Sequence, residues 1–438
     1  MDGGDIGLLS IGILLGLIYL GMHIGVALML VSFGCVALLK SPTVAVRMIG
    51  GAASDSISEY LFGVVPLFIL MGMFVTTSGI GRDTFDIIGY AFRKMRSGLG
   101  VATVGANAVF AAITGVSLAS ATVFTKVAVP ELVRNGYQKG FSLGLVAGSS
   151  VLGMLIPPSL LMIIYGVLAE ESVGKMFLAG VVPGILLAAV FCVTIVVTAK
   201  IAPQRIFAGN AAAQGGRDET AGSILRKALP IGSLIALVLG GLYGGIFTPT
   251  EAGAVGAMGA LVIALFRRTL TPSSTWHILV ETGYVATSVL FLVIGASFYS
   301  RMLTLSGLPL DLTNWITELG LGPIQFVFLY VFVVLVMGCI IDSVSIMLIM
   351  LPIVLPVIRH MGLDPIWFGV VTVIAVEMGL ITPPFGLSVF AVKATVNDDK
   401  VSVRDIFRGS FPFLIGMFAT LSVLIFAPIL VTWLPALI

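Results

Sequence analysis

Two stretches of this chain run uncharged for longer than a soluble fold tolerates. Phe177 to Ala199 and Phe411 to Trp433 each exceed the ~20 apolar residues that a helix needs to cross ~30 Å of hydrocarbon. In hydrocarbon every backbone polar group must find its partner inside a helix or a closed barrel. A barrel would show ~10-residue segments of alternating polarity, and these runs are continuous. The fold class that follows is an all-α polytopic membrane protein. Composition agrees, with 58% hydrophobic and 10% charged residues, against about 25% charged in soluble domains. The mean hydropathy is +1.14. A formal net charge of +2 supplies no strongly basic surface, which argues against nucleic acid as a partner. Cys35, Cys192 and Cys339 lie in apolar stretches without metal-ligand spacing and are assigned no chemistry.

Apolar runs between polar punctuation give candidate spans at 6–22, 24–39, 64–80, 141–168, 177–199, 229–247, 251–267, 284–302, 365–392 and 411–436. Asp2 and Asp5 precede the first run with no basic residue, the wrong charge for a cleaved signal peptide, so this run is expected to stay as a span. Regions 99–135 and 323–361 are apolar but interrupted near the middle by small and polar residues, and read as re-entrant helical hairpins. Segments 43–62, 82–96, 272–282 and 400–409 mix charge with apolar residues at helical spacing, which predicts surface helices. The basic clusters at Arg93, Lys94 and Arg96, at Lys200, Arg205, Arg226 and Lys227, at Arg267 and Arg268, and at Lys393, Lys400, Arg404 and Arg408 fall on one side if each hairpin enters and leaves the same face. That side is expected to be cytoplasmic, with both termini outside. Arg47 and Arg301 depart from the pattern.

The chain repeats itself. Pro157-Pro158 and Pro383-Pro384 stand 383 − 157 = 226 residues apart, and the same offset carries Ser117 to Ser343, Pro130 to Pro356, Gly136 to Gly362 and Gly153 to Gly379. Ser78-Gly79 matches Ser306-Gly307 at 228, and Gly180 and Pro183 match Gly409 and Pro412 at 229. This divides the chain into scaffold helices and a surface arm over 1–63, a first repeat over 64–200, a linker with central scaffold helices over 201–283, and a second repeat over 284–438. The number of crossings from 64–80 to 284–302 is odd, so the copies run in opposite directions. Inverted repeats with interrupted helices are the construction of secondary transporters, whose solute and ion sites lie where the helices break.

Each proline removes a backbone donor and clashes with the preceding turn, so a proline pair frees carbonyl oxygens at membrane depth. Sodium is a hard cation that takes such oxygens. The breaks offer carbonyls around Gly153 and Ile156, and the Thr382 hydroxyl. The hairpin tips offer Thr114, Gly115 and Ser117 in one copy and Gly338, Asp342 and Ser343 in the other. Two roughly symmetry-related cation sites follow. Asp342, an acid at membrane depth, is a candidate for function and equally a helix cap. Glu251, after Pro249, reads as a cap, and His23, His277 and His360 sit at element ends that suit interfacial roles. No Gly-rich segment has the spacing of a phosphate loop, so ATP hydrolysis is not expected.

Gly153-Met-Leu-Ile-Pro-Pro-Ser159, Tyr165-Gly166, Phe247-Thr-Pro-Thr-Glu-Ala252, Asp342 and Gly379-Leu-Ile-Thr-Pro-Pro-Phe-Gly386 together resemble the large membrane subunit of TRAP (tripartite ATP-independent periplasmic) transporters. The resemblance covers nearly the whole chain. It implies an elevator, in which hairpins and broken helices carry solute and sodium against a scaffold. It implies no cofactor beyond sodium as coupling ion, and two partners in a bacterial inner membrane system. One is a small four-helix membrane subunit, and the other is a periplasmic binding protein that delivers an organic acid such as a dicarboxylate or sialic acid. The residues matching the family's sodium ligands are Thr114, Gly153, Ile156 and Pro158 in the first copy, and Gly338, Gly379, Thr382 and Phe385 in the second. Ser117, Asp342 and Ser343 are the candidate solute contacts. The first hairpin reads Ile-Thr-Gly-Val-Ser where many relatives carry a run of Gly and Ser. Only 63 residues precede the first repeat, too few for a fused small subunit, so that subunit is expected as a separate chain. The runner-up is a stand-alone anion or dicarboxylate carrier needing no binding protein. An intramembrane hydrolase would need a base beside Asp342 and Ser117, and no His or Asp lies at matching depth. An enzyme is therefore not expected, and a channel fits the paired breaks less well than alternating access.

Overall fold

A computed structural model describes residues 2–208, 220–396, 398 and 401–437. Lys400, counted above among the basic residues, lies outside the described residues. The described residues are helical throughout, with one isolated bridge between Tyr137 and Phe207.

The chain opens with α1 (Gly3–Tyr19), α2 (Ile24–Leu39) and α3 (Pro42–Ser58). The first copy of the repeat then comprises α4 (Val64–Thr77), α5 (Ile80–Ala91), α6 (Gly98–Thr114), α7 (Ser117–Arg134), α8 (Lys139–Ser150), α9 (Leu152–Leu155), α10 (Leu160–Leu168) and α11 (Val173–Ile201). A short α12 (Pro203–Ile206) follows. The middle of the chain holds α13 (Ala221–Ile235), a π-helical turn over Ala236–Gly240, α14 (Gly241–Tyr243) and α15 (Pro249–Phe266). The second copy holds α16 (Pro272–Ser306), α17 (Leu308–Glu318), α18 (Pro323–Gly338), α19 (Ser343–His360), α20 (Pro365–Gly379), α21 (Leu387–Val396), α22 (Val403–Phe426) and α23 (Ile429–Thr432).

Among the described residues six helices, counting α13 with the turn and α14 as one, are long and apolar enough to cross a membrane alone. Eight spans result if the bent pairs α4 with α5, and α8 and α9 with α10, each count once. The bends are 67° and 41°. Two expected surface helices are not separate elements. Segment 272–282 forms the first third of α16, because Thr271 caps it, Pro272 opens it, and no further proline stands between there and Ser306. Segment 400–409 likewise feeds into α22, which Ser402 caps through Asp405 N.

The repeat is visible in the helix boundaries. Ser117 and Ser343 open α7 and α19, Arg134 and His360 close them, and both pairs are 226 apart (343 − 117 and 360 − 134). Helices α5 and α17 begin 308 − 80 = 228 residues apart, each after a glycine at φ +78°. Only glycine takes that left-handed turn without strain, so the Ser-Gly pair recurs where each copy bends sharply.

Packing between copies is reciprocal. Helix α8 lies on α22 while its counterpart α20 lies on α11, and α21 lies on α7 while α10 lies on α19. Reciprocity of this kind is what a two-fold relation between the copies generates. Helices α8 and α20 form the centre: Phe141–Ser150 and Trp367–Gly379 are buried at every position. Small residues permit the close approach. A Cβ on Gly144 would stand 2.1 Å from the Gly409 carbonyl carbon. Around this centre α2, α3 and α4 pack with α16, and α15 packs on α4. Apolar side chains such as Ile185, Val193, Phe411 and Phe418 stay exposed on α11 and α22, as lipid contact requires.

Candidate functional site

The first break follows from which donors the sequence lacks. In a continuous helix the carbonyls of Gly153 and Met154 would accept from residues 157 and 158, and both are prolines. Proline also drives the preceding residue out of helical geometry, and Ile156 is extended at φ −79°, ψ 126°. The chain resumes at Ser159, whose Oγ accepts from Met162 N at 3.3 Å as the cap of α10 and donates to the orphaned Met154 carbonyl. The Gly153 carbonyl receives no such substitute, and no donor reaches Ile156 or Pro158 oxygen among the described residues.

The first hairpin tip rests on this break. Thr114 ends α6, buried, with its hydroxyl donating to Phe110 oxygen at 3.0 Å. Gly115 turns the chain at φ +65° and accepts from Leu160 N at 3.2 Å. A Cβ there would fall 2.5 Å from Pro158 oxygen, and one on Gly153 would fall 3.0 Å from Ser117 N. Thr114, Gly153 and Pro158 are therefore brought together. The Ile156 backbone belongs to the same break, while its side chain turns toward Gly184 on α11.

The second break repeats the scheme. Pro383 and Pro384 remove the donors that Gly379 and Leu380 would use, and the substitutes are Thr382 N on Gly379 oxygen at 3.0 Å and Ser388 N on Leu380 oxygen at 3.1 Å. Both Pro-Pro peptide bonds are cis. Gly338 ends α18 and Gly379 ends α20, in contact so close that a Cβ on either would lie 2.5 to 2.7 Å from the other's Cα. Two helix C-termini thus converge, each carrying partial negative charge. Cys339 Sγ reaches Pro383 oxygen at 3.2 Å and ties this tip to the break. Thr382 Oγ1 donates to Met378 oxygen at 2.6 Å, which leaves its lone pairs free to accept. Phe385 is half exposed, with its side chain outside the packed centre.

The candidate solute contacts divide. Asp342 caps α19: Oδ1 accepts from Ser345 N at 3.1 Å, and Oδ2 accepts from the Ser345 hydroxyl. Ser117 and Ser343, by contrast, meet on one group that sequence reasoning missed. Ser343 Oγ donates to Glu377 Oε1 at 3.3 Å, and Ser117 Oγ lies beside the same carboxyl without closing a hydrogen bond of ordinary geometry. The signal was an acid inside Val-Ile-Ala-Val-Glu-Met-Gly, two residues before Gly379 in an otherwise uncharged span.

Residues weighed as peripheral behave accordingly. Glu251 forms a capping box with Thr248, with Thr248 N donating to its Oε2 at 2.8 Å. Arg301 pairs with Asp55 at 2.6 Å, half exposed.

Comparison with known proteins agrees with this architecture. The family model described as "Tripartite ATP-independent periplasmic transporter, DctM component" matches residues 11–430. The C4-dicarboxylate TRAP transporter large permease of Pseudomonas aeruginosa is 35% identical, over 91% of this chain and 90% of that protein. The sialic acid TRAP transporter large permease of Vibrio cholerae is 29% identical over 97% of both. Among solved structures, the Alcanivorax borkumensis YdaH transporter superposes with a TM-score of 0.71 at 13% identity, covering 94% of this chain and 98% of that one. The Neisseria gonorrhoeae MtrF efflux pump gives 0.60 at 14% identity, over 88% of this chain and 85% of its own. These two share the fold. Hairpin tips seated on proline-broken helices, in a chain matched nearly end to end, place this multi-pass membrane protein among transporters rather than enzymes, in the DctM family of large TRAP permeases.

Proposed function

We propose that the chain is the large permease of a sodium-coupled importer of a small organic acid in a bacterial inner membrane. A periplasmic binding protein would deliver the acid, and a small four-helix membrane subunit would complete the assembly. The observation that carries this reading is the pairing of two hairpin tips with two proline breaks, at each of which helix C-termini converge. Converging carbonyl dipoles attract a cation of low charge density without a formal counter-charge. One sodium is assigned to Thr114, Gly153, Ile156 and Pro158, and a second to Gly338, Gly379, Thr382 and Phe385. The acid is assigned to the tips, where Ser117, Asp342 and Ser343 begin or cap helices whose N-termini favour anions.

The relatives' names refer to C4-dicarboxylate, sialic acid and 2,3-diketo-L-gulonate, which supports an organic acid as the solute. In the elevator reading, the hairpins (about 99–135 and 323–361) and the broken helices (141–168 and 365–392) travel as one body past the helices around α16. Thermal unfolding in sodium chloride against equal choline chloride tests the ion assignment, since a ligand held at 100 times its dissociation constant adds about 2.7 kcal/mol. A rise specific to sodium is the expected result, and equal stability in both salts overturns sodium coupling. Uptake into vesicles with and without binding protein then tests delivery. Full-rate uptake without it identifies a stand-alone carrier.

A further inference from the structure

Glu377 is a buried acid with no counter-charge. It is 1% exposed, and no Lys, Arg or His among the described residues pairs with it. Its Oε1 accepts from Ser343, whereas Oε2 and Ser117 Oγ are both buried without a hydrogen-bond partner. Ser117 and Ser343 are equivalent residues of the two copies, each the first residue of its hairpin's returning helix. The oxygens that gather here therefore come from both halves of the chain.

Two features favour the ionised form of the acid. The N-termini of α7 and α19 present partial positive charge, and α7 has no side-chain cap to absorb it. An ionised carboxylate enclosed without a charged partner is nevertheless heavily penalised by desolvation, and hydroxyl dipoles offset only part of that. A cation at Oε2 and Ser117 Oγ would satisfy both orphaned oxygens and cancel the charge. Oxygen-only donors suit a hard ion. A single carboxylate balances one positive charge, so a divalent ion would leave an excess buried.

We propose that Glu377, Ser117 and Ser343 form a third cation site that holds a sodium ion between the two hairpin tips. It rests on the sodium-coupled reading above, reassigns the Ser117 and Ser343 hydroxyls from the acid to an ion while leaving Asp342 and the tip backbone to the acid, and adds an ion bound by a formal charge, whereas the two break sites use carbonyl dipoles. Loading this site neutralises Glu377 before the moving body crosses the bilayer. It also joins the two copies through one ion, so that both tips must be in place before transit.

The test is equilibrium binding of radioactive sodium to the purified full-length chain in lipid nanodiscs, counted per chain, for wild type, Glu377→Gln, Glu377→Asp and Ser117→Ala. Glu377→Gln is expected to bind one sodium fewer. Ser117→Ala is expected to weaken one site about tenfold while the others keep their affinity. Glu377→Asp retains the charge, and its sodium count should match wild type even if Glu377→Gln is poorly folded. An unchanged count and affinity in well-folded Glu377→Gln overturns the third site and leaves the break sites standing. Loss of a sodium in Glu377→Asp equal to that in Glu377→Gln also overturns it, because retained charge would then not suffice. Absence of any sodium binding to wild type overturns the sodium-coupled reading itself.

Discussion

Between Gly338 and Gly379 there is no room for a methyl group, since either added Cβ would sit 2.5 to 2.7 Å from the opposing Cα. Neither neighbour is a flexible side chain that can swing away. Gly379→Ala is therefore expected to lower stability by ~1–3 kcal/mol through overpacking, and to part the second hairpin tip from its break. Gly12→Ala, which meets nothing within 4 Å, serves as the control in the same thermal unfolding experiment. Thr382 is a subtler case, because its hydroxyl donates to Met378 oxygen and keeps its lone pairs for an ion. Thr382→Val preserves the shape and removes the oxygen. Sodium dependence of stability should weaken roughly tenfold in apparent affinity, and an unchanged sodium titration would move the second site away from this residue. The prolines and glycines were legible in the sequence because each acts on its own backbone. Glu377 was not, because its meaning depends on Ser117 and Ser343, which lie 260 and 34 positions away (377 − 117 and 377 − 343).

Helix ends decide how much of each element could be read. Ser159, Thr248, Thr271, Asp364 and Ser402 all cap helices through side-chain oxygens, and the residues that follow them are helical. The surface segment 272–282 was misread because polarity changes at its end while backbone preference does not, so α16 continues through it. The π-helical turn over Ala236–Gly240 has no marker in an apolar run with glycines. Asp342 sits between the element and the site. Both carboxyl oxygens serve Ser345 in capping α19, which predicts that Asp342→Ala costs ~1 kcal/mol. Asn keeps the acceptor at a cap and loses the charge. If Asp342→Asn restores both stability and uptake, Asp342 is a cap alone; if it restores stability while uptake stays impaired, the charge itself takes part in binding or coupling.

At the scale of the molecule, the repeat was legible in the proline and glycine offsets, and the boundaries of α7 and α19 reproduce the 226-residue spacing at both ends. What no offset reveals is which copy's helix lies on which. The answer is exchange: the broken helix of each copy packs on the last long helix of the other. A pattern of identities along one chain carries no information about contact across it, so this arrangement waited for the structure.

That exchange has a genetic corollary. Each half lacks part of the surface on which its own central helix rests, since α8 leans on α22 and α20 on α11 beside the contacts each makes within its own copy, so a fragment ending at Ala208 and one beginning at Thr220 are each expected to be degraded when expressed alone. Expressed together in one cell, they are expected to accumulate as a complex that co-purifies and unfolds as a unit. Independent stability of either fragment would mean that the contacts of α8 with α22 and of α20 with α11 are dispensable. The two copies then behave less like a duplicated domain than like an obligate dimer whose subunits happen to be translated in one reading frame.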